Sequence, residues 1–426
     1  MKITIATVGT RGDVQPYVAL GLGLQSTGHQ VQIATDPLFQ SFIENHDLGF
    51  KPVNADPRQA MQEDMRQVGS NPLRLLRWID HQFTPLARQY FIEMRAAAED
   101  SDAILVSALA FAAMHVAQAL GIPSLAAYLY PITPTRAFPG MVAANLPTWL
   151  ANLGWVNWWS CHLYNLGFFR MMLPVVNHLR QEILGLAPVP WSYYTRIDQS
   201  EVPIIYGYSR HVLPKPADWG EHLHLTGYWF LEDGAYQPTD ELAHFLEAGP
   251  KPVYIGFGSM LDLEAAKTTQ IVLEALEITG QRAILHGGWS ELGAQPLPEN
   301  VRRVTDVPHS WLFPRMAAVV HHGGAGTTAA GLRAGVSPVI VPYFGDQPFW
   351  AKHVYQSGAS PAPIPRLKLD TKKLAAALQE ATQDGQIQRT ASQLGTHIRS
   401  EKGVADAVNL ISSYLQNPEH LMRFNP

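Results

Sequence analysis

Short apolar runs alternate with helix-like segments through most of this chain, which is the pattern of an α/β protein. The first run spans residues 2–8 (KITIATV), and a loop at residues 9–13 separates it from a predicted helix at residues 14–27. Gly28 ends this helix, and a second apolar run follows at residues 30–34. Strand, helix and strand in this order predict a βαβ unit at the start of a parallel sheet.

The same alternation predicts two domains. It continues to residue 208, is interrupted by a polar link at residues 231–239 (LEDGAYQPT), and then restarts. We therefore expect Rossmann-like domains at residues 1–230 and 240–410, with parallel sheets that face each other across a cleft. Further strands are predicted at residues 102–106, 124–127, 203–208, 253–257, 282–286, 317–320 and 338–342, and residues 372–415 are predicted to be helical.

A glycine-rich loop joins one of these strands to the next helix. Residues 321–328 read HHGGAGTT and follow the apolar run at residues 317–320. Glycine lets the backbone approach a ligand, and the first turn of the helix offers unpaired N–H groups with a partial positive charge. These features predict a phosphate site, to which His322, Thr327 and Thr328 add side-chain donors. A tight turn in which glycine serves packing alone is the alternative.

Five polar or glycine-rich loops each follow a predicted strand, at residues 9–13, 258–259, 306–309, 322–328 and 346–347. Ligands of open parallel sheets bind at the C-terminal ends of the strands. The five loops therefore predict a nucleotide cleft. The glycine pattern is neither a Walker loop, which needs Gly-Lys-Ser/Thr, nor the dinucleotide fingerprint, which needs a third spaced glycine.

Asp13 lies at the mouth of the first of these loops and has two interpretations. A carboxylate in this position can accept a proton from a hydroxyl group. Asp13 can equally be the N-cap of the helix predicted to begin at Val14. Its position in the chain is compatible with both.

Residues 138–173 interrupt the α/β pattern with a run of aromatic side chains. Trp155, Trp158 and Phe169 recur at helical spacing. Polar residues between them argue against a membrane span. Three interpretations are open: a packed core, an apolar pocket for an acceptor, and a membrane-surface patch at residues 149–172.

Composition narrows the class of protein. The chain has 426 residues, of which 46% are apolar and 16% charged, and a net charge of −5. These values indicate a globular chain of more than one domain, without the basic surface that nucleic acid requires. Cys161 is the single cysteine, so neither an intramolecular disulfide nor a cysteine metal cluster can form. We find no signal peptide and no apolar run long enough for a bilayer, and therefore expect a cytoplasmic location.

Five motifs resemble those of nucleotide-sugar-dependent glycosyltransferases with the two-domain GT-B fold. The similarity is greatest to bacterial and fungal sterol glucosyltransferases and to glycopeptide-antibiotic glycosyltransferases. It covers both predicted domains in the expected order. The matching residues are Gly9-Thr10-Arg11-Gly12-Asp13-Val14-Gln15-Pro16, Gly256-Phe257-Gly258-Ser259-Met260, Val307-Pro308-His309-x-Trp311-Leu312, residues 321–328 and Asp346-Gln347.

The resemblance implies an inverting transfer of a hexose from a UDP-sugar co-substrate to a hydroxyl group, with no cofactor and no metal. Asp13 is then the general base, and Val307 contacts the nucleotide base through its backbone. Asp346 and Gln347 bind hydroxyl groups of the donor sugar. The diphosphate is held by Thr10, Ser259, His322 and the amides of Gly324, Ala325, Gly326, Thr327 and Thr328, and the nucleotide-sugar site also includes Arg11, Gly12, Gly258 and His309.

Four positions differ from the plant branch of this superfamily. Asp13 replaces the histidine base, and Ser107 replaces the aspartate that orients that histidine. The two differences are coherent, because a carboxylate base needs no partner to fix a tautomer. Ala330 replaces a ribose-binding glutamate and Asp306 a base-stacking tryptophan, so both UDP and dTDP are open as the nucleotide, with UDP preferred.

The resemblance also implies a lipophilic acceptor alcohol. A sterol or another polycyclic or isoprenoid alcohol leads, and a polyketide, flavonoid or other natural-product aglycone is the alternative. Two alternatives from other functional classes are a nucleotide-sugar epimerase and a non-catalytic nucleotide-sugar-binding module.

As in similar proteins, residues 411–426 are expected to pack back on the first domain. Asp100-Ser101-Asp102 has the spelling of a metal-binding Asp-x-Asp but precedes its strand, so we predict no metal site.

Overall fold

A computed structural model gives the architecture of the chain. It describes residues 1–54, 83–144, 146–190, 193, 202–232, 234, 236–258, 265–287, 292–294, 296–417 and 421.

The first half of the chain forms a seven-stranded sheet with the order β3-β2-β1-β4-β5-β6-β7, in which every pair of neighbours is parallel. The central strand β4 (Ala103–Val106) is apolar and wholly buried, because helices cover both faces of such a sheet. The strands are β1 (Lys2–Ala6), β2 (Gln30–Thr35), β3 (Gly49–Pro52), β4 (Ala103–Val106), β5 (Ser124–Tyr128), β6 (Ile204–Tyr206) and β7 (Leu223–Leu225).

The second half forms a five-stranded parallel sheet with the order β10-β9-β8-β11-β12. Each sheet reverses its strand order beside the strand that comes first in its half, which is where open α/β sheets bind ligands. The predicted α/β class with two Rossmann-like sheets is therefore observed. The strands are β8 (Val253–Gly256), β9 (Ala283–His286), β10 (Val301–Val304), β11 (Val319–His321) and β12 (Pro338–Ile340).

Helices follow the strands and cover the sheets. Those of the first half are α1 (Arg11–Ser26), α2 (Gln40–Glu44), α3 (Thr84–Ala98), α4 (Ala113–Leu120), α5 (Thr148–Ala151) and α6 (Gly154–Glu182). Those of the second half are α7 (Asp240–Glu247), α8 (Ala265–Thr279), α9 (His309–Leu312), α10 (Ala325–Ala334), α11 (Gln347–Gln356), α12 (Thr371–Gln383), α13 (Gly385–Ser400) and α14 (Gly403–Gln416).

Helix α1 begins before its predicted start at Val14. Thr10 is the N-cap, with an extended backbone, and its carbonyl accepts the amides of Asp13 at 2.9 Å and Val14 at 3.2 Å. The first helical turn therefore forms before Asp13, which is the third residue of the helix. The interpretation of Asp13 as the N-cap is wrong, because Thr10 already supplies the capping geometry.

The helical region predicted at residues 372–415 is divided into three helices. Asp384 caps α13 by accepting the amides of Gln386 at 2.7 Å and Ile387 at 3.2 Å. At the start of α14 only glycine fits, because a Cβ on Gly403 would lie 2.2 Å from the carbonyl oxygen of Tyr228.

Helix α14 packs on α1 of the first half. A Cβ on Gly23 would lie 2.5 Å from Val404 and 2.9 Å from Val408, so glycine permits the close approach of the two helices. Ile411 and Leu415 of α14 are buried in the same core. The chain therefore returns to the first half over the whole of α14, including residues before the predicted boundary at 411.

The Asp-x-Asp sequence has a structural role at the N-terminal ends of strands β1 and β4 of the first sheet. Lys2 donates its backbone amide to Asp102 Oδ2 at 2.6 Å and pairs with Asp100 through its side chain. Within the ranges given above, no group of three or more His, Cys, Asp or Glu side chains is arranged to hold a metal ion. In the same ranges, we find no helix whose length and apolar character would let it traverse a bilayer.

Candidate active site

The glycine-rich loop ends at the first turn of α10. Gly323 has a φ of +92°, and a Cβ there would lie 2.7 Å from Ile340, so the loop passes close to β12. The buried ring of His321 accepts the Gly323 amide at 3.0 Å. Gly324 is the N-cap, and α10 begins at Ala325. The amides of the first turn have no partner within α10 and form the positive end of a helix dipole, as the anion-site prediction requires.

His322 lies between the two glycine loops of the second sheet. A Cβ on Gly258, which has a φ of +62°, would lie 3.0 Å from the His322 ring, and a Cβ on Gly324 would lie 2.6 Å from its Nε2. Burial lowers the pKa of His322 to about 4, so the ring is neutral at pH 7 and donates from one nitrogen only. Its Nδ1 and the buried hydroxyl of Thr328 have no partner among the described residues.

Asp13 is held by the residue that caps its own helix. Asp13 Oδ2 accepts the Thr10 amide at 2.8 Å and the Thr10 hydroxyl at 3.1 Å. Gly9, with a φ of +139°, lies directly beneath the carboxylate, because a Cβ there would fall 2.3 Å from Oδ2. Burial raises the pKa of Asp13, and the two Thr10 hydrogen bonds oppose this by stabilising the charged form. The group is thus a stronger base than an exposed aspartate.

The first turns of α1 and α10 meet across the cleft. A Cβ on Gly326 would lie 3.6 Å from Gly12 Cα, an ordinary van der Waals contact. The predicted general base and the predicted phosphate site are therefore brought together, although their residues lie far apart in the chain. Thr10 and Thr327 flank this contact as partly buried residues.

Asp346 lies on the opposite wall of the same space. Burial, together with the nearby Asp13 charge, raises the pKa of Asp346 to about 7. The Ala325 amide and the Trp350 indole oppose the shift. The pair of carboxylates is thus close enough for the charge of one to discourage ionisation of the other.

The side chain of Gln347 stabilises a turn, a structural role that is separate from its predicted contact with the donor sugar. Its side chain is 4% exposed, and Oε1 accepts the amides of Tyr343 at 2.8 Å and Phe344 at 3.3 Å. The amide oxygen therefore shapes the turn that carries Asp346. Its role in binding a sugar hydroxyl stays a prediction.

The predicted nucleotide-base end of the site lies at the C-terminal end of β10. Val307 is buried, and the His309 ring stacks on Phe313 with centroids 4.2 Å apart. Burial lowers the pKa of His309 to about 3. Arg11 is exposed, with its guanidinium 4.9 Å from the Phe42 ring, and its charge also depresses the pKa of His309. Ser259, together with Met260 of the same motif, lies outside the described residues.

The sequence does not single out Tyr130, which lies beside Asp13. A cavity of about 10 Å³ is lined by Asp13, Tyr17, Ser107, Leu109 and Tyr130. A cavity of this size holds about one water molecule. Tyr130 follows β5 at the ligand-binding end of the sheet, and this position is the signal that could have identified it.

The aromatic stretch forms helix α6, as the spacing predicts, but its N-terminal half presents polar residues to the protein. Asn157 donates to the Arg136 and Ala151 carbonyls at 3.0 and 2.8 Å, and Asn165 donates to Ile132 at 3.0 Å. Cys161 lies between them and is also buried. The apolar side chains of this half point outward: Trp149 of the preceding α5 is 69% exposed, Trp155 63%, Trp159 47%, Leu163 56% and Tyr164 42%.

Glycosyltransferase family models match both halves of the chain. Residues 3–139 match the glycosyltransferase family 28 N-terminal domain, and residues 273–411 match the erythromycin biosynthesis protein CIII-like C-terminal domain. Among solved structures, the glycotransferase of kitacinnamycin has a TM-score of 0.69 at 20% identity and covers 97% of this chain and 99% of its own. The calicheamicin glycosyltransferase CalG4 has a TM-score of 0.69 at 18% identity, covering 98% and 99%. These neighbours confirm the GT-B fold.

Curated relatives extend the match to nearly the whole chain. Sterol 3-beta-glucosyltransferase UGT80B1 of Arabidopsis thaliana is 39% identical over 97% of this chain and 68% of its own length. The sterol 3-beta-glucosyltransferase of Yarrowia lipolytica is 38% identical over 96% of this chain but only 28% of its own length. The resemblance seen in the sequence motifs is confirmed: this chain belongs to the sterol 3-beta-glucosyltransferase family and is a hexosyltransferase of the GT-B fold.

Proposed function

We propose that this chain transfers a glucosyl group from UDP-glucose to the 3-hydroxyl of a sterol, with inversion at the anomeric carbon. The observation that carries the proposal is the contact between the first turns of α1 and α10 at Gly12 and Gly326. It brings a raised-pKa carboxylate, Asp13, to the positive end of a helix. A base opposite a diphosphate site is the arrangement that displacement of UDP by an alcohol requires.

The proposed reaction is a single displacement. The acceptor hydroxyl gives its proton to Asp13 as its oxygen forms a bond to the anomeric carbon. The bond from that carbon to the diphosphate oxygen breaks at the same time, and UDP leaves with the electron pair. The amides of α10 and a donor from neutral His322 then stabilise the charge on the diphosphate, which is the role a metal has in other transferases.

Donor recognition in this proposal uses the second sheet. Asp346, with a pKa of about 7, is partly protonated at neutral pH and can both donate to and accept from a sugar hydroxyl. Gln347 offers its amide group beside it, and Val307 contacts the nucleotide base. Thr10, Gly258 and Ser259 complete the diphosphate contacts.

The sterol assignment rests on the similarity to sterol 3-beta-glucosyltransferases and on the apolar wall beside Asp13. Leu109 lines the cavity next to Asp13 and is 53% exposed. Phe111 and Phe168 continue this wall with centroids 6.1 Å apart, and Tyr164 stacks on Phe168 at 6.2 Å. An apolar wall next to one carboxylate suits a rigid hydrocarbon with a single hydroxyl group.

We also propose that residues 149–172 contact a membrane surface at its cytoplasmic face. The tryptophans and the leucine of α5 and α6 form an exposed apolar face, whereas Asn157 and Asn165 point inward. Tryptophan is enriched at membrane–water interfaces. The same helix reaches the acceptor wall at Tyr164 and Phe168, so a membrane-dissolved alcohol would be close to the site.

The direct test is incubation of the chain with UDP-glucose and a panel of sterols, carotenoid alcohols, flavonoids and macrolides, with product mass as the readout. We expect sterols to gain one hexose, and dTDP-glucose to be the poorer donor. Transfer to a flavonoid or macrolide but to no sterol would overturn the acceptor assignment. A nucleotide-sugar epimerase would instead change the sugar without consuming any acceptor.

Asp13→Asn separates an enzyme from a binding module. The amide keeps an oxygen that can accept from Thr10, so α1 should remain capped. Turnover should fall by about 100- to 10,000-fold, the usual range for loss of a general base, while the dissociation constant of UDP stays within about twofold. Asp36→Asn is the matched control, because this half-buried carboxylate likewise caps a helical turn, where it accepts the Leu38 amide at 2.9 Å. Unchanged turnover in Asp13→Asn would contradict the assignment of the base.

A further inference from the structure

The cavity beside Asp13 has room for one oxygen atom and is lined by few groups that are free to bind it. Tyr17 donates its hydroxyl to the Ala127 carbonyl at 2.6 Å, and Thr7 donates to the Asp13 carbonyl at 2.9 Å. Asp13 Oδ2 is occupied by Thr10. Among the described residues, neither Asp13 Oδ1 nor the Tyr130 hydroxyl makes a hydrogen bond, and the buried hydroxyl of Ser107, which also lines the cavity, has no partner. These three groups are therefore available to an oxygen in the cavity.

Tyr130 lies at the junction of the two halves. Its ring packs against the cores on both faces of the first sheet, which restrains its position. The charges of Asp13 and Asp346 both raise its pKa in addition to the effect of burial, so both carboxylates are close to it. The phenol therefore keeps its proton throughout the working pH range and can donate a hydrogen bond to an ionising alcohol.

We propose that Tyr130 is a further catalytic residue that binds the acceptor hydroxyl, which deepens the proposed function and rests on it. The acceptor O–H donates to Asp13 Oδ1, and the Tyr130 hydroxyl donates to one lone pair of the acceptor oxygen. The second lone pair is then directed toward the anomeric carbon of the donor held at α10. Two fixed hydrogen bonds thus orient a small nucleophile that a smooth apolar wall alone cannot orient.

Tyr130→Phe tests this role because it removes the hydroxyl and keeps the ring. We expect kcat/KM for a sterol to fall about 5- to 10-fold, the worth of one hydrogen bond, with KM for UDP-glucose unchanged. The decisive readout is a 3-deoxy sterol used as a competitive inhibitor. Its inhibition constant should be the same for both proteins, because the 3-deoxy sterol lacks the hydroxyl group that the Tyr130 hydroxyl would bind.

Controls separate this role from a structural effect and from failure of the proposed function. Tyr355→Phe alters an exposed tyrosine on α11 and should leave every constant unchanged. If Tyr130→Phe weakens the 3-deoxy inhibitor as much as it lowers kcat/KM, the substitution acts through the shape of the acceptor site and the inference is wrong. Unchanged kcat/KM in an active protein would also overturn it. If the wild-type chain glucosylates no alcohol at all, both the inference and the proposed function fail.

Discussion

Thr10 directs two hydrogen bonds at a single oxygen of Asp13, from its amide at 2.8 Å and from its hydroxyl at 3.1 Å. One carboxylate oxygen is thereby fixed to the start of α1, and the other is left for a ligand. The same contact stabilises the helix, because an acidic third residue that accepts the N-cap amide is half of a capping box. Helix capping and orientation of the base are thus functions of one residue pair.

Thr10→Val should move the pH profile of the reaction. The Thr10 hydrogen bonds lower the pKa of Asp13, whereas burial raises it, so loss of the hydroxyl raises that pKa further. Asp13 must be ionised to act as a base, and the acidic limb of kcat/KM against pH therefore shifts to higher pH. Thr27→Val, at the other end of α1, is the matched control. A limb that stays in place, or moves to lower pH, would contradict this view of Asp13.

Asp346→Asn should change how the free energy of unfolding depends on pH. The pKa of Asp346 is about 7 in the fold and 3.8 ordinarily, so between these values the folded chain retains a proton that the unfolded chain releases. The stability associated with this group is therefore greatest in acid and is lost as pH rises toward 7. Asparagine has no such proton, so the variant gains stability relative to wild type across this window.

The measurement is thermal unfolding of both ligand-free proteins between about pH 5 and pH 8, outside which other carboxylates and lysines titrate. Asp370→Asn is the control, because its exposed carboxylate has a lowered pKa and should give no gain at higher pH. A constant difference in melting temperature between Asp346→Asn and wild type would show that Asp346 is ionised freely in the fold.

Gly324→Ala should weaken UDP binding by displacing His322. The added Cβ would fall 2.6 Å from His322 Nε2, closer than van der Waals contact permits. We expect loss of about one hydrogen bond to phosphate, and hence an increase of about tenfold in the dissociation constant of UDP by calorimetry.

Gly331→Ala is the matched control on the same helix, because a Cβ there meets nothing within 4 Å. Alanine in the interior of α10 should leave UDP affinity unchanged and stabilise the fold by about 0.5 to 1 kcal/mol. Equal UDP affinity in the two variants would exclude His322 from the phosphate site.

Trp155→Ser combined with Trp159→Ser should reduce binding to sterol-containing phospholipid vesicles. Each exposed indole would lose the free energy of burial in the interface, so we expect the partition coefficient in a flotation assay to fall by at least about tenfold. Ile278→Ser, 58% exposed on α8 of the second half, is the control for loss of one exposed apolar side chain. Activity on a sterol delivered in cyclodextrin should be retained. Undiminished vesicle binding would exclude this face as the membrane contact.

Much of the fold could be predicted from short windows of sequence. The buried strands, the glycine loop at residues 321–328 and helix α7 all follow from local apolar periodicity and from residues that start or stop helices. The start of α1 was harder, because Thr10 and Asp13 are both favourable capping residues and the pattern of apolar positions does not choose between them. The sequence also did not predict that Asn157 and Asn165 point inward, because aromatic spacing identifies a helix without showing which side faces the core.

The amino-acid sequence therefore determined the class of fold, the loop suited to phosphate and the carboxylate suited to act as a base. Only the tertiary structure decided that Gly12 meets Gly326, that Tyr130 borders the cavity beside Asp13, and that a second carboxylate, Asp346, lies near Asp13. Backbone preferences are set by near neighbours in the chain. Burial, distance and pKa depend instead on packing between residues that are hundreds of positions apart.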